Sequence, residues 1–261
     1  MPTQQLFYES AVPVSPQRHG NWSLEAVNDY KFTQHVNSVP LMAVEFPHAA
    51  SEYAIVFSGT KEAAIPAVIL GMRSDQNLYL SENGAWQAKY VPAFVRRYPF
   101  VFASSSDGKT FTLCVDESYP RLNQDGRGER LFNDEQKPTP FVERALKFLE
   151  QYQIESRRTQ AFCKQLVELD LLEPMRAQAN FGGGEKLSLV GFMAVNRDKV
   201  KALPGEKLAD LAKTDALELL YLHLASMRNF TAMAERAGAA ASRASEGTLE
   251  KNEPRAEETH A

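Results

Sequence analysis

The sequence predicts an α+β protein, with a mostly antiparallel sheet in the first half of the chain and helices around one inserted β-hairpin in the second half. Three observations predict this class. Short β-prone runs dominate up to about residue 116, apolar residues recur at helical spacing from about residue 140, and two strand-like runs around a triple glycine interrupt those helices. The first-half sheet is expected to be curved, with closure into a barrel as one option.

Six β-prone runs are expected to form the first-half sheet. They are residues 41–46, 53–58, 67–72, 77–80, 100–105 and 109–116. The last two flank Asp107 and Gly108, a dipeptide that suits a type I′ hairpin because both central residues take positive φ. Residues 1–30 are interrupted by proline and glycine, which predicts an irregular N-terminal arm.

Two further segments complete the first half. Residues 90–97 are predicted to form a short helix, with Pro92 in its first turn. Residues 118–138 are polar and lack a usable period, which predicts a long connection.

The second half begins with Thr139 and Pro140, a residue suited to an N-cap followed by proline at the first helical position. The apolar spacing predicts helices from this point, at 158–172, at 206–212 and in a long final helix that Thr214 could cap. The inserted hairpin is predicted from residues 175–181 and 186–196 around the glycines at 182–184.

The domain organisation follows from this interleaving of hairpins and helices. We expect one continuous domain over residues 1–236. Residues 237–261 carry almost no large apolar side chains. Such a segment cannot bury enough surface to offset its ordering entropy, so a disordered tail is predicted there.

Composition restricts the classes of partner. The chain has 261 residues and a formal net charge of −4, which argues against binding nucleic acid through its phosphates. No apolar run matches a signal peptide or a membrane span, so no membrane insertion is expected. The two cysteines, Cys114 and Cys163, each lie in an apolar pattern. Buried thiols in a reducing compartment are therefore predicted, which implies a cytoplasmic location.

The order of these features resembles the bacterial SapC-like family. The resemblance is carried by YAIVF (53–57), NLYL (77–80), YVPAFVRRYPF (90–100), CVDESYPRL (114–122), GERLF (128–132), AFCKQLVELDLLEP (161–174), LVGFMAVNRDKVKAL (189–203) and LYLHLASMRNF (220–230). It covers roughly residues 53–233 and implies an accessory role in transport or secretion, linked to the bacterial surface layer. It supplies no reaction and no catalytic residue.

The common catalytic motifs are absent from the sequence. There is no G-x-S-x-G nucleophile elbow and no G-x-x-x-x-G-K-[ST] phosphate loop. His35, Glu45 and His48 contain the residue types of an iron site, but Pro47 makes their region a bend, so no metal and no cofactor is expected. His223 lies beside an apolar helical stripe, where a packed and hydrogen-bonded imidazole is the better interpretation.

One cluster remains as a candidate binding site. Its members are Trp86, Tyr90, Arg96, Arg97, Tyr98, Asp116 and Arg121. If the 90–97 helix packs on the 100–116 hairpin, arginines able to bind carboxylate would lie beside an aromatic wall. The alternative is that Arg96 and Arg97 form an exposed helix end and Asp116 caps the following turn.

Three functions stay open at this point. The first is a cytoplasmic, non-catalytic accessory protein that binds a protein or peptide in surface-protein export or nutrient uptake. The second is an enzyme with an unrecognised site acting on a small molecule or peptide. The third is a scaffold whose last helix pairs with another subunit, although burial in the core explains the same apolar residues.

Overall fold

The computed structural model of the protein describes residues 6–25, 29–105, 108–180 and 186–250. Its strands are β1 (Ala11–Pro13), β2 (Ser23–Leu24), β3 (Ser38–Pro40), β4 (Ile55–Ser58), β5 (Ile65–Ile69), β6 (Phe100–Ser104), β7 (Phe111–Asp116), β8 (Leu122–Asn123), β9 (Glu129–Arg130), β10 (Leu172–Asn180) and β11 (Lys186–Val195). Its helices are α1 (Pro16–His19), α2 (Phe46–Ala49), α3 (Ala93–Arg96), α4 (Pro140–Glu168), α5 (Arg197–Lys201), α6 (Gly205–Lys213), α7 (Ala216–Ser226) and α8 (Asn229–Glu250). The predicted α+β class is confirmed.

The largest sheet has five antiparallel strands in the order β10-β11-β4-β5-β3. The predicted hairpin is its β10–β11 end, and the glycines at 182–184 lie outside the described residues. Strand β11 joins β4 through one paired position, Met193 with Phe57, so both halves of the chain share this sheet. Within the described residues β10 and β3 are its two edges, so the sheet is open and does not close into a barrel.

Two smaller sheets each contain one strand of the N-terminal arm. The predicted hairpin of β6 and β7 is present, with Asp107 outside the described residues, and β1 adds to it in the order β1-β7-β6. Strands β8, β2 and β9 form the other sheet, so the 118–138 connection is partly ordered. Asn123 stabilises this connection because its side-chain oxygen accepts hydrogen bonds from the backbone N–H groups of Asp125 and Arg127. The arm predicted to be irregular therefore contributes two strands and a short helix.

Two strand predictions are wrong. Residues 41–46 form a 3-10 turn followed by α2, because the Glu45 carboxylate accepts a hydrogen bond from the Met42 backbone N–H at 2.7 Å. Residues 77–80 are a loop in which only Leu80 makes a β-bridge, to Trp86. Apolar content alone did not separate these buried turns from strands, because both bury the same side chains.

The helices differ from prediction in their breaks. Thr139 is at the N-cap position of α4, as predicted, but α4 continues to Glu168, where two helices were expected. The predicted final helix is divided into α7 and α8, and Asp215 rather than Thr214 precedes α7. The backbone is helical to Glu250, where a disordered tail was predicted from 237. Residues 237–250 include five alanines, and alanine has the highest helix propensity of any residue.

The turn between β8 and β9 depends on Gly128. Its φ is +90° and an added Cβ would lie 2.1 Å from the Leu24 carbonyl oxygen. We expect Gly128→Ala to lower the free energy of unfolding by about 3 kcal/mol, through backbone strain and this clash. Gly126 is the matched control, because its φ is +76° but nothing lies within 4 Å of an added Cβ. Gly126→Ala should lower the free energy of unfolding, measured by urea denaturation, by about 1 kcal/mol. Equal losses in the two variants would contradict the role of the clash.

Candidate functional site

The structure distributes the seven predicted site residues over separate places. Tyr90 and Arg96 line one cleft, Arg97 lines a second, and Arg96, Arg97 and Tyr98 line a third together. Trp86 packs beside Tyr53, to whose hydroxyl its Nε1 donates a hydrogen bond at 2.7 Å. The remaining three, Tyr98, Asp116 and Arg121, lie towards the N-terminal arm. Tyr90 and Arg96 therefore share a cleft that Arg97, the next residue, does not line.

The group near the arm holds the chain together. The buried Asp116 carboxylate accepts hydrogen bonds from the backbone N–H groups of Glu9 and Ser10 and from Ser118, and Tyr98 donates to it at 3.3 Å. Burial raises the Asp116 pKa, but these hydrogen bonds outweigh burial and leave the pKa below its usual value. Asp116 caps the following turn, which was the alternative reading of this residue.

Arg121 also makes contacts within the chain. Its guanidinium lies 3.3 Å from the Glu25 carboxylate and 3.8 Å from that of Asp29. Both carboxylates belong to the segment that follows β2. These ion pairs occupy the groups of Arg121 that a ligand would use.

The cleft that contains Tyr90 and Arg96, here called the α3 cleft, has a volume of about 280 Å³. It lies between α3, the turn that precedes α2, and the middle of α4. Its polar lining residues are Glu45, His48, Tyr90, Arg96, Gln151, Tyr152 and Glu155, and its apolar ones are Met42, Val44, Ala93 and Phe148. The sequence analysis identified only two of these as site residues. Helical spacing on α4 places Phe148 and Tyr152 on one face, a signal that could have found them.

Glu45 is the buried centre of this cleft. One carboxylate oxygen accepts a hydrogen bond from the Met42 N–H, and the other accepts from the Ala93 N–H and the Tyr90 hydroxyl, all at 2.7 Å. Three donors satisfy the buried charge, as a buried carboxylate requires. Glu45 therefore fixes α3 against the turn before α2 and leaves the open face of the cleft to other residues.

Tyr90 is held as a neutral phenol. Burial and the neighbouring Glu45 carboxylate raise its pKa well above the usual value near 10. The His48 ring stacks on the Tyr90 ring with a centroid separation of 5.3 Å. A phenol in this state donates a hydrogen bond and offers an aromatic face, and it does not act as a base at neutral pH.

Arg96 supplies the exposed charge of the cleft. Its guanidinium carbon lies 5.7 Å from the Tyr90 ring centroid and 5.3 Å from that of Phe148, and its Nε donates to the Val91 carbonyl oxygen. No carboxylate within the described part of the chain lies within 4.0 Å of it. Arg96 is therefore oriented by two aromatic rings and remains able to pair with an external carboxylate.

Metal ligation has no support in the described residues, which contain no group of three or more His, Cys, Asp or Glu side chains placed to hold an ion. Of the trio considered from sequence, Glu45 is buried and bonded to backbone, and His35 contacts Gln34 away from the cleft. None of the described helices is long and apolar enough to cross a bilayer.

These features define an α+β protein with an open antiparallel sheet and a small cleft whose chemistry suits binding of an anionic group beside apolar surface. The family model described as SapC matches residues 14–233. The chain belongs to the SapC family. No curated protein and no solved structure gives a significant match to it.

Proposed function

We propose that this protein is a non-catalytic accessory protein that binds a peptide segment of a protein partner in the α3 cleft. The observation that carries the proposal is Arg96, an exposed guanidinium with no carboxylate partner among the described residues, held over the Tyr90 and Phe148 rings. Arginine in this setting recognises carboxylate through paired donors.

The apolar side of the cleft specifies the rest of the ligand. Val44 and Phe148 line the cleft, and Val44 is 57% exposed. An exposed valine beside an aromatic ring favours contact with an apolar side chain. The ligand is therefore a peptide in which an acidic residue or a terminal carboxylate lies next to a large apolar residue.

The cellular setting is part of the same proposal. The SapC resemblance supports a role in surface-protein export or nutrient uptake. Cys114 and Cys163 are buried free thiols, which supports a reducing cytoplasm. The net charge of −4 favours a protein partner over nucleic acid.

An enzyme acting in this cleft is the second candidate, and it rests on His48. Its exposed imidazole, a side chain that enzymes often use as an acid or base, stacks on Tyr90 beside Arg96. A His48→Gln variant that binds its peptide normally but loses its cellular phenotype would favour the enzyme.

Selection from a random peptide library tests the binding function. We expect the wild-type protein to enrich peptides with an acidic and a large apolar residue side by side, and Arg96→Met to bind them about tenfold more weakly. Methionine keeps the apolar stem and removes the charge. Arg157→Met, on an exposed position of α4 outside the cleft, is the matched control and should bind as wild type. Enrichment without acidic residues, or equal binding by Arg96→Met, would contradict the proposal.

A further inference from the structure

Arg97 is a buried cation without an ionic partner. Only 6% of the residue is exposed, and its Nε and Nη2 nitrogens are buried with no hydrogen-bond acceptor. Across the described ranges, no carboxylate lies within 4.0 Å of its guanidinium. Buried charges are normally paired, so this group lacks the anion that its position requires.

Aromatic rings surround this guanidinium on several sides. Its carbon lies 4.0 Å from the Phe94 ring centroid, 4.9 Å from that of Tyr152 and 5.7 Å from that of Tyr8. Ring faces attract a cation, but they do not replace acceptors for its N–H groups. The Tyr8 hydroxyl donates to the Phe100 carbonyl oxygen, and its own oxygen still accepts from one side of the Arg97 guanidinium. Tyr8 leaves Nε and Nη2 without an acceptor.

A second cleft reaches this charge. It has a volume of about 600 Å³, lies between β5, β6 and α4, and is here called the β5–β6 cleft. Phe94, Arg97 and Tyr152 all line it, so the cleft lies beside the aromatic rings that surround the guanidinium. Most of the remaining lining is apolar, as at Pro66 and Val101, so the cleft combines one unpaired cation with a hydrophobic surface.

We propose that the β5–β6 cleft binds a small monocarboxylate with an apolar body, whose carboxylate pairs with Arg97. The carboxylate supplies the acceptors that the fold does not, and the apolar body covers the hydrophobic walls. Nε and Nη2 are shielded from solvent, so a neighbouring side chain changes rotamer when the ligand enters, as interface side chains commonly do. This site is separate from the α3 cleft, although Met42 and Tyr152 line both.

The test is a calorimetric titration of the full chain with octanoate, 1-octanol and inorganic phosphate. Octanoate should bind saturably, with one molecule per chain, and raise the Tm. Octanol should bind at least about tenfold more weakly because it lacks the charge, and phosphate alone should not bind because it lacks the apolar body. No saturable octanoate binding, equal binding of octanol, or binding of phosphate as tight as that of octanoate would overturn the proposal.

Arg97→Met and Arg96→Met separate the two arginines. Arg97→Met should bind octanoate about tenfold more weakly or worse and keep the wild-type affinity for octanol, whereas Arg96→Met should bind octanoate normally. The Tm of unliganded Arg97→Met should not fall below that of the wild type, because an unpaired buried charge is removed. Unchanged octanoate binding in Arg97→Met would overturn the proposal. If this variant does not fold, the wild-type comparison of octanoate with octanol decides.

Discussion

Replacing His223 with alanine is expected to lower the free energy of unfolding by about 4 kcal/mol, because it removes a buried side chain and two hydrogen bonds at once. His223 lies on α7 and is fully buried. Its Nε2 accepts a hydrogen bond from the Val195 N–H at 3.0 Å, so its Nδ1 carries the proton and donates to the Ile55 carbonyl oxygen at 2.9 Å. Chemical denaturation followed by circular dichroism measures the loss.

The expected loss is large because of where the imidazole lies. Strands β4 and β11 pair at one position, Phe57 with Met193. Because the strands are antiparallel, the same alignment continued by two residues sets Ile55 opposite Val195. The imidazole bridges these two residues where no ladder hydrogen bond joins them. The hydroxyl of Ser226, one turn further along α7, accepts a hydrogen bond from the Ile55 N–H at 3.0 Å. Helix α7 thus completes the junction between the two halves of the large sheet.

The same residue predicts a pH dependence. Burial lowers the pKa of His223 from 6.5 to about 4. Between these values the unfolded chain binds a proton that the folded chain excludes, so stability falls as the pH falls from 6.5 to 4 and this contribution is constant below that. The contribution amounts to at most about 3 kcal/mol. His223→Ala should lose this part of the pH dependence.

His35 is the matched control for both measurements. It is exposed, and its ring forms a hydrogen bond with the neighbouring Gln34 side chain. His35→Ala should change the free energy of unfolding by less than about 0.5 kcal/mol and keep the pH dependence. A His223→Ala variant as stable as His35→Ala would show that the bridge does not hold the sheet together.

Removing the Asp116 carboxylate is the second large expected effect. Asp116→Ala leaves the backbone N–H groups of Glu9, Ser10 and Ser118 without their acceptor, and we expect a loss of about 3 kcal/mol. Because Glu9 and Ser10 belong to the N-terminal arm, limited proteolysis should cleave the arm in the variant before the rest of the chain. Asparagine should not restore stability, because its amide nitrogen would face a donor.

At Asp116, as at His223, stability falls as the pH falls, but for a different reason. Hydrogen bonds to the charged carboxylate lower the pKa of Asp116, whereas burial lowers that of His223. Its folded-state pKa lies below its usual value of 3.8, so its contribution is present above that pH and is lost as the pH falls through the folded-state pKa. Asp125 is the control, with 73% of its side chain exposed. Asp125→Ala should change stability by less than about 0.5 kcal/mol, and an equal loss in both variants would contradict the role of the buried carboxylate.

Features set by interactions between near neighbours in the sequence were predicted correctly, whereas features set by contacts between distant residues were not. Hairpin β6–β7 and the start of α4 at Pro140 were predicted because their signals lie within a few residues. The 41–46 run was taken for a strand because its turn depends on Glu45 and on its contacts with the Tyr90 hydroxyl and the Ala93 N–H. The predicted site residues likewise lie in several places because their partners are far away in the sequence.

The sequence by itself determined the α+β class, the hairpins and the start of the long helix, because alternation, helical spacing and turn residues act locally. Only the tertiary structure decided that His223 joins β11 to Ile55 of β4, 168 residues away, and that Asp116 holds the N-terminal arm. It also decided that Tyr90 shares a cleft with Arg96 but not with Arg97. The physical reason is that a buried polar group must find its partners wherever the chain brings them, and that pairing leaves no periodic trace in the sequence.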